Sequence, residues 1–89
     1  MSPSTVKRLI ILAAEARGAC VLSVEDASGG AVQAAIVLLD GVDVVVRVKR
    51  IGERWEVANE KGEEWWAGDV PDAMTHAVAA AMGDGDACA

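Results

Sequence analysis

Eighty-nine residues suffice for one small domain, which buries only about 60–65% of the surface that its unfolded chain exposes. The hydrophobic content is 53%, yet Phe and Tyr are absent and Trp occurs three times, so the core must be built mainly from Ala and Val. A net charge of −6 disfavours phosphate backbones, no apolar run approaches the roughly 20 residues of a membrane span, and two cysteines make neither a disulfide framework nor a metal spacing.

The chain opens with Ser2-Pro3-Ser4-Thr5, a hydroxyl cap beside a proline in the first helical turn. Val6, Leu9, Ile10 and Ala13 follow at i, i+3, i+4 and i+7, which lines one helical face, and Gly18 ends the helix. Ile11 stands apart, among Lys7, Arg8 and Glu15 on the opposite face. Lys7-Arg8, the apolar Leu9–Ala14 and Cys20 faintly mimic a lipoprotein signal. Glu15 and Arg17 interrupt it, and six apolar residues fall short of the roughly 7–15 that a secretory segment needs. A reducing, cytoplasmic setting is expected.

Cys20–Glu25 reads as a first strand, Ser28-Gly29-Gly30 as its turn, and Val32–Leu39 as a second strand that is apolar on both sides in its second half. Asp40-Gly41 and Gly52-Glu53 read as two-residue hairpin loops. Pairing across the first sets Leu39 opposite Val42, Val37 opposite Val44 and Ala35 opposite Val46. Pairing across the second sets Val48 opposite Val57, Arg50 opposite Trp55 and Lys49 opposite Glu56. These registers predict a buried face of Val37, Leu39, Val42, Val44, Val46, Val48 and Val57. The other face would be mixed, with Val32, Ala34, Ile36, Leu38 and Val45 among Asp43, Arg47, Lys49 and Glu56.

Asn59-Glu60-Lys61-Gly62 is a further turn, after which Glu64-Trp65-Trp66 can form a short fifth strand. With Lys61-Gly62 as the loop, Trp66 joins the valine face and Trp65 the mixed one. Asp69 is expected to cap a second helix that has Pro71 in its first turn and Asp72 at its positive end. Val70, Ala73, Met74, Ala77, Val78, Ala81 and Met82 form its buried stripe, and Gly83 ends it. Residues 1–83 are thus expected to form a single α+β domain, and 84–89 a flexible tail. The fold class is a two-layer sandwich: an antiparallel sheet of four or five strands under an N-terminal and a C-terminal helix, in the order α-β-β-β-β-(β)-α.

Candidate chemistry is sparse. His76 falls on the polar side of the second helix without convergent partners, and neither cysteine has a histidine at a readable distance. Asp84-Gly85-Asp86 begins like a calcium loop, but the later ligands do not follow. Gly29-Gly30 lacks the lysine and the following helix of a phosphate cradle. No enzyme and no cofactor are expected. The helix–strands–helix order is similar, in topology alone, to double-stranded-RNA-binding domains. That family's lysine-rich start to the last helix is replaced here by Asp69-Val70-Pro71-Asp72, which disfavours nucleic acid.

Charge is uneven: residues 1–52 hold five acids and six bases, residues 53–89 nine acids and two bases. Glu60, Glu63, Glu64, Asp69 and Asp72 surround Trp65 and Trp66, an acidic-aromatic patch suited to a basic protein surface. The expected function is therefore a small, acidic, non-enzymatic protein-interaction domain. An inhibitor or adaptor of the kind that phages direct at host defence complexes is one example, occupying a nucleic-acid-binding surface on another protein. One alternative is a homodimer or a small subunit of a larger assembly, in contact through Ile11 or through Val32, Ile36, Leu38 and Val45 of the mixed face. Another is nucleic-acid binding through Arg47, Lys49 and Arg54.

Overall fold

The computed structural model describes residues 1–83. The elements are α1 (Pro3–Glu15), β1 (Cys20–Ala27), β2 (Ala31–Val37), β3 (Asp43–Ile51), β4 (Arg54–Asn59), β5 (Glu64–Ala67) and α2 (Pro71–Ala81). A tight turn through Ser28–Gly30 joins β1 to β2. The strands form one antiparallel meander in sequence order, and all five positions of the sheet are filled. Helix α1 lies over β1 and β2, α2 lies over β4 and β5, and the two helices touch each other. The α+β sandwich expected from the pattern is the fold observed. Among the described residues, no helix is long and apolar enough to cross a membrane.

Ser2 caps α1 as expected, its Oγ accepting from the Thr5 backbone N–H at 3.3 Å. Helix α1 buries Val6, Ile10, Ala13 and Ala14, while α2 buries Met74, Ala77, Val78, Ala79 and Ala81. The start of α2 departs from expectation. Its N-cap is Val70, half exposed rather than part of the buried stripe, and no side chain caps it. The Asp69 carboxylate is engaged elsewhere: it accepts from the Met1 ammonium at 2.8 Å on both oxygens and from Trp55 Nε1 at 3.1 Å. A full charge and an indole N–H outcompete the backbone amides a cap would have satisfied.

The β3–β4 register is the expected one, with Val48 opposite Val57, Lys49 opposite Glu56 and Arg50 opposite Trp55. Gly52 leads that loop at φ +64°, the conformation a two-residue type II′ turn demands of its first residue. The β2–β3 register is corrected by one residue: Ile36, not Val37, pairs with Val44, and Ala34 pairs with Val46. The loop there has three residues, Leu39-Asp40-Gly41. Leu38 N–H donates to the Val42 carbonyl at 2.8 Å and Gly41 N–H to the Leu38 carbonyl at 2.9 Å, with Gly41 at φ +88°. This is a tight turn closed by a left-handed glycine.

The β4–β5 connection repeats the device. Asn59 N–H donates to the Glu63 carbonyl at 3.1 Å, Gly62 N–H donates back to Asn59, and Gly62 sits at φ +83°. Each extra loop residue turns a whole strand over. Val32, Ala34 and Ile36 consequently lie under the helices, with Val32 and Ile36 0% exposed, so neither can serve as the surface contact expected of it. Leu39 (83% exposed) and Val42 leave the core. Trp65, paired with Val57, faces the helices, and Trp66, paired with Glu56, faces outward, the reverse of the expected assignment.

Between Val21 and Ser23 a bulge inserts Leu22 into β1. It allows both Val21 and Val24, three apart, to face the helices, and leaves Leu22 exposed at the sheet edge. The core is one cluster of small and branched residues around Trp55, its largest fully buried side chain.

Candidate partner-binding cleft

The three-residue loops decide where the concave surface falls. One end of the sandwich is bounded by the β2–β3 hairpin, the β4–β5 hairpin and the last turn of α2. Between them lies a cleft of about 880 Å³. Leu38, Val42, Val44, Trp65 and Met82 supply its apolar lining, while Asp40, Asp43 and Glu63 bring carboxylates and Lys61 the one base of the lining. The α2 carbonyl end also opens here through Ala80, Ala81 and Gly83, and no basic residue occupies its last turn. A helix C-terminus carries roughly half a negative charge, so it adds to the carboxylates. A smaller hollow of about 270 Å³ adjoins, lined by Arg17, Leu39 and Met82 among others.

Asn59 holds this end together. Its Oδ1 accepts from the backbone N–H of Lys61 (3.0 Å) and of Glu63 (3.2 Å). Its Nδ2 donates to Glu63 Oε1 at 3.0 Å and to the Ala81 carbonyl at 3.2 Å, which ties the hairpin to the helix. Asp40 Oδ1 does a smaller version of this work by accepting from Val42 N–H at 3.1 Å. Neither role is visible in composition, although an Asn three residues ahead of a glycine is a recognisable turn signal.

The acidic-aromatic patch is divided into three. Glu60, Glu63 and Trp65 stay together at the cleft end, with Glu60 exposed in the loop and Trp65 half-buried. Glu64 and Trp66 lie on the open face of the sheet. Asp69 and Asp72 sit at the opposite end, where the paired Met1 ammonium and Trp55 indole hold the Asp69 carboxyl below the usual carboxylate range. Of the expected contact residues, Leu38 lines the cleft, Val45 is half-buried on the open face, and Ile11 is exposed beside Leu22 along β1.

The open face carries rows set by pairing: Glu25, Gln33, Arg47, Ala58 and Glu64 in one, Lys49, Glu56 and Trp66 in the next. Arg47 Nη2 donates to Gln33 Oε1 at 2.9 Å, and the Arg54 guanidinium stands 4.9 Å from the Trp66 ring centre. Glu56 and Glu64 are diagonal neighbours, and their shared hydrogen bond pushes the Glu56 carboxyl above its usual range. Arg50 lies on the other side, 5.8 Å from the Trp55 ring.

His76 is exposed on α2, and Cys20 is a free, exposed thiol. Among the described residues no three His, Cys, Asp or Glu side chains gather as metal ligands do. Cys88 and the Asp84-Gly85-Asp86 segment, like the expected tail, lie outside the described residues. Comparison with protein-family models, curated proteins and solved structures finds no match of any kind.

Proposed function

We propose that this protein is a non-enzymatic interaction domain that receives a basic segment of another protein, anchored by an apolar side chain, in the cleft. The observation that carries this reading is the lining itself: an apolar floor ringed by Asp40, Asp43, Glu63 and a helix carbonyl end, against the single base Lys61. Exposed carboxylates beside a half-buried indole suit Arg or Lys flanked by an aliphatic anchor. An inhibitor or adaptor that covers a nucleic-acid-binding surface would use such a site, because those surfaces are basic.

The test is capture from the native host with wild-type protein and with an Asp43→Lys/Glu63→Lys variant. A basic protein retained by wild type, released by raised salt and lost from the folded variant is the expected outcome. Equal retention by both proteins rejects the cleft. Binding of nucleic acid is the second reading, favoured by one observation: Arg47, Lys49 and Arg54 share the open face with Trp66. Glu56 and Glu64 alternate with them, which opposes a phosphate backbone, and an empty gel shift at low salt removes the reading.

A further inference from the structure

The smaller hollow beside the cleft is defined by its size and by one positive charge. It measures about 270 Å³, the liquid volume of about nine waters, so it has no room for a helix about 10 Å across. A single extended segment with small side chains does fit. Leu38, Leu39 and Met82 form its apolar wall, and Arg17 is the one base in its lining among the described residues. Arg17 is half-buried, and its Nη1 donates to the Ala13 carbonyl at 3.1 Å, which fixes the side chain at the end of α1. A guanidinium carries five N–H donors in a planar fork, so one anchored in this way can still take a carboxylate.

The end of α2 delivers a segment to this place. Gly83 itself lines the hollow, and the described residues end with it. Its N–H donates to the Ala80 carbonyl at 2.9 Å, and its φ of +90° turns the chain off the helix axis. The sequence continues Asp84-Gly85-Asp86-Ala87-Cys88-Ala89, with two carboxylates first and then side chains no larger than cysteine. Six extended residues span about 20 Å, whereas a hollow of this volume is about 6–7 Å across, so reach is ample.

We propose that residues 84–89 fold back over the hollow, with Asp84 and Asp86 held by Arg17 and the small residues covering Leu39 and Met82. Charge selects this place over the cleft next door, because Asp40, Asp43 and Glu63 ring the cleft and repel two further carboxylates. Asp40 borders the hollow as well, but its carboxylate accepts from Val42 N–H within its own loop. Tethering favours this segment over a free anionic peptide, since a short linker sets an effective concentration on the order of millimolar. Leu38 and Met82 form a ridge that the hollow shares with the cleft, so the docked segment braces one wall of the cleft without filling it. The proposal holds whether or not the cleft receives a basic partner.

Backbone ¹⁵N relaxation of the full chain at low salt is the experiment. The Asp86, Ala87 and Cys88 amides should show order parameters of about 0.8, close to rigid backbone, rather than the values below about 0.6 of a free tail. Asp84→Asn/Asp86→Asn alters no side chain of the core; it should drop these values below about 0.6 and shift the Ala19 and Leu39 amides. Arg17→Gln should do the same, with circular dichroism to confirm that it is folded. Wild-type values below about 0.6, or order that survives either substitution in a folded chain, overturn the proposal. So does order that grows with protein concentration between about 0.1 and 1 mM, which would make a second copy the occupant.

Discussion

Single side chains carry two consequences that are open to measurement. Asn59 makes four hydrogen bonds from one amide, two of which set the β4–β5 loop and one of which fastens it to α2. Asn59→Ala leaves the Ala81 carbonyl and two loop amides to find water. A loss of about 1–3 kcal/mol in urea unfolding is expected, and with it a looser cleft. Asn59→Asp keeps the acceptor and loses the donor, placing a carboxylate against Glu63 and the α2 carbonyl end, and should cost at least as much. The three tryptophans supply the second measurement: Trp55 is buried, Trp65 half-buried and Trp66 exposed. Trp66→Phe should therefore remove most of the iodide-quenchable emission, whereas Trp65→Phe should leave most of it. The opposite result would restore the two-residue loop and turn β5 over.

Elements are where reading the chain succeeds and where it stops. Both helices, four strands with a short fifth, and the β3–β4 register follow from apolar spacing, Pro3, Pro71 and a glycine at the first position of a two-residue loop, whereas the cap of α2 does not. The β2 register does not follow, because the second half of Val32–Leu39 is apolar on both sides and Gln33 is the one polar residue that distinguishes its faces. Loop chemistry decides it, and Asp40-Gly41 is compatible both with a two-residue turn and with the last two positions of a three-residue one. Lys61-Gly62 is ambiguous in the same way. The cleft inherits this ambiguity, since Leu38, Val44 and Trp65 reach it only in the observed register. Two substitutions separate the registers. Ile36→Ala should cost about 2–5 kcal/mol, as expected of a fully buried aliphatic, while Val37→Ala on the open face should cost well under half as much. Gly41→Ala should cost about 1–2 kcal/mol at φ +88°, purely from backbone conformation, since open space surrounds the added methyl.

At the scale of the whole molecule, two carboxyl groups pull the pH dependence of stability in opposite directions. Asp69 is depressed by the Met1 ammonium and the Trp55 indole, so its contribution is present above the unfolded-state value and is lost as pH falls through the folded one. Glu56 is raised by its hydrogen bond to Glu64, so the folded chain holds that proton more tightly than the unfolded chain does. Stability therefore increases as pH falls through the raised Glu56 value, and decreases again only when Asp69 is reached. Between the two lies a maximum in the ordinary carboxylate range, about pH 4, where the folded chain holds the Glu56 proton and Asp69 is still ionised, helped by relief of the self-repulsion of a chain at −6. Thermal melts from pH 7.5 downwards should show this maximum in wild type. Glu56→Gln should flatten the limb above it and Asp69→Asn the limb below it, each leaving the other in place. A monotonic fall in melting temperature from pH 7.5 would mean that the Glu56–Glu64 pair does not form in solution.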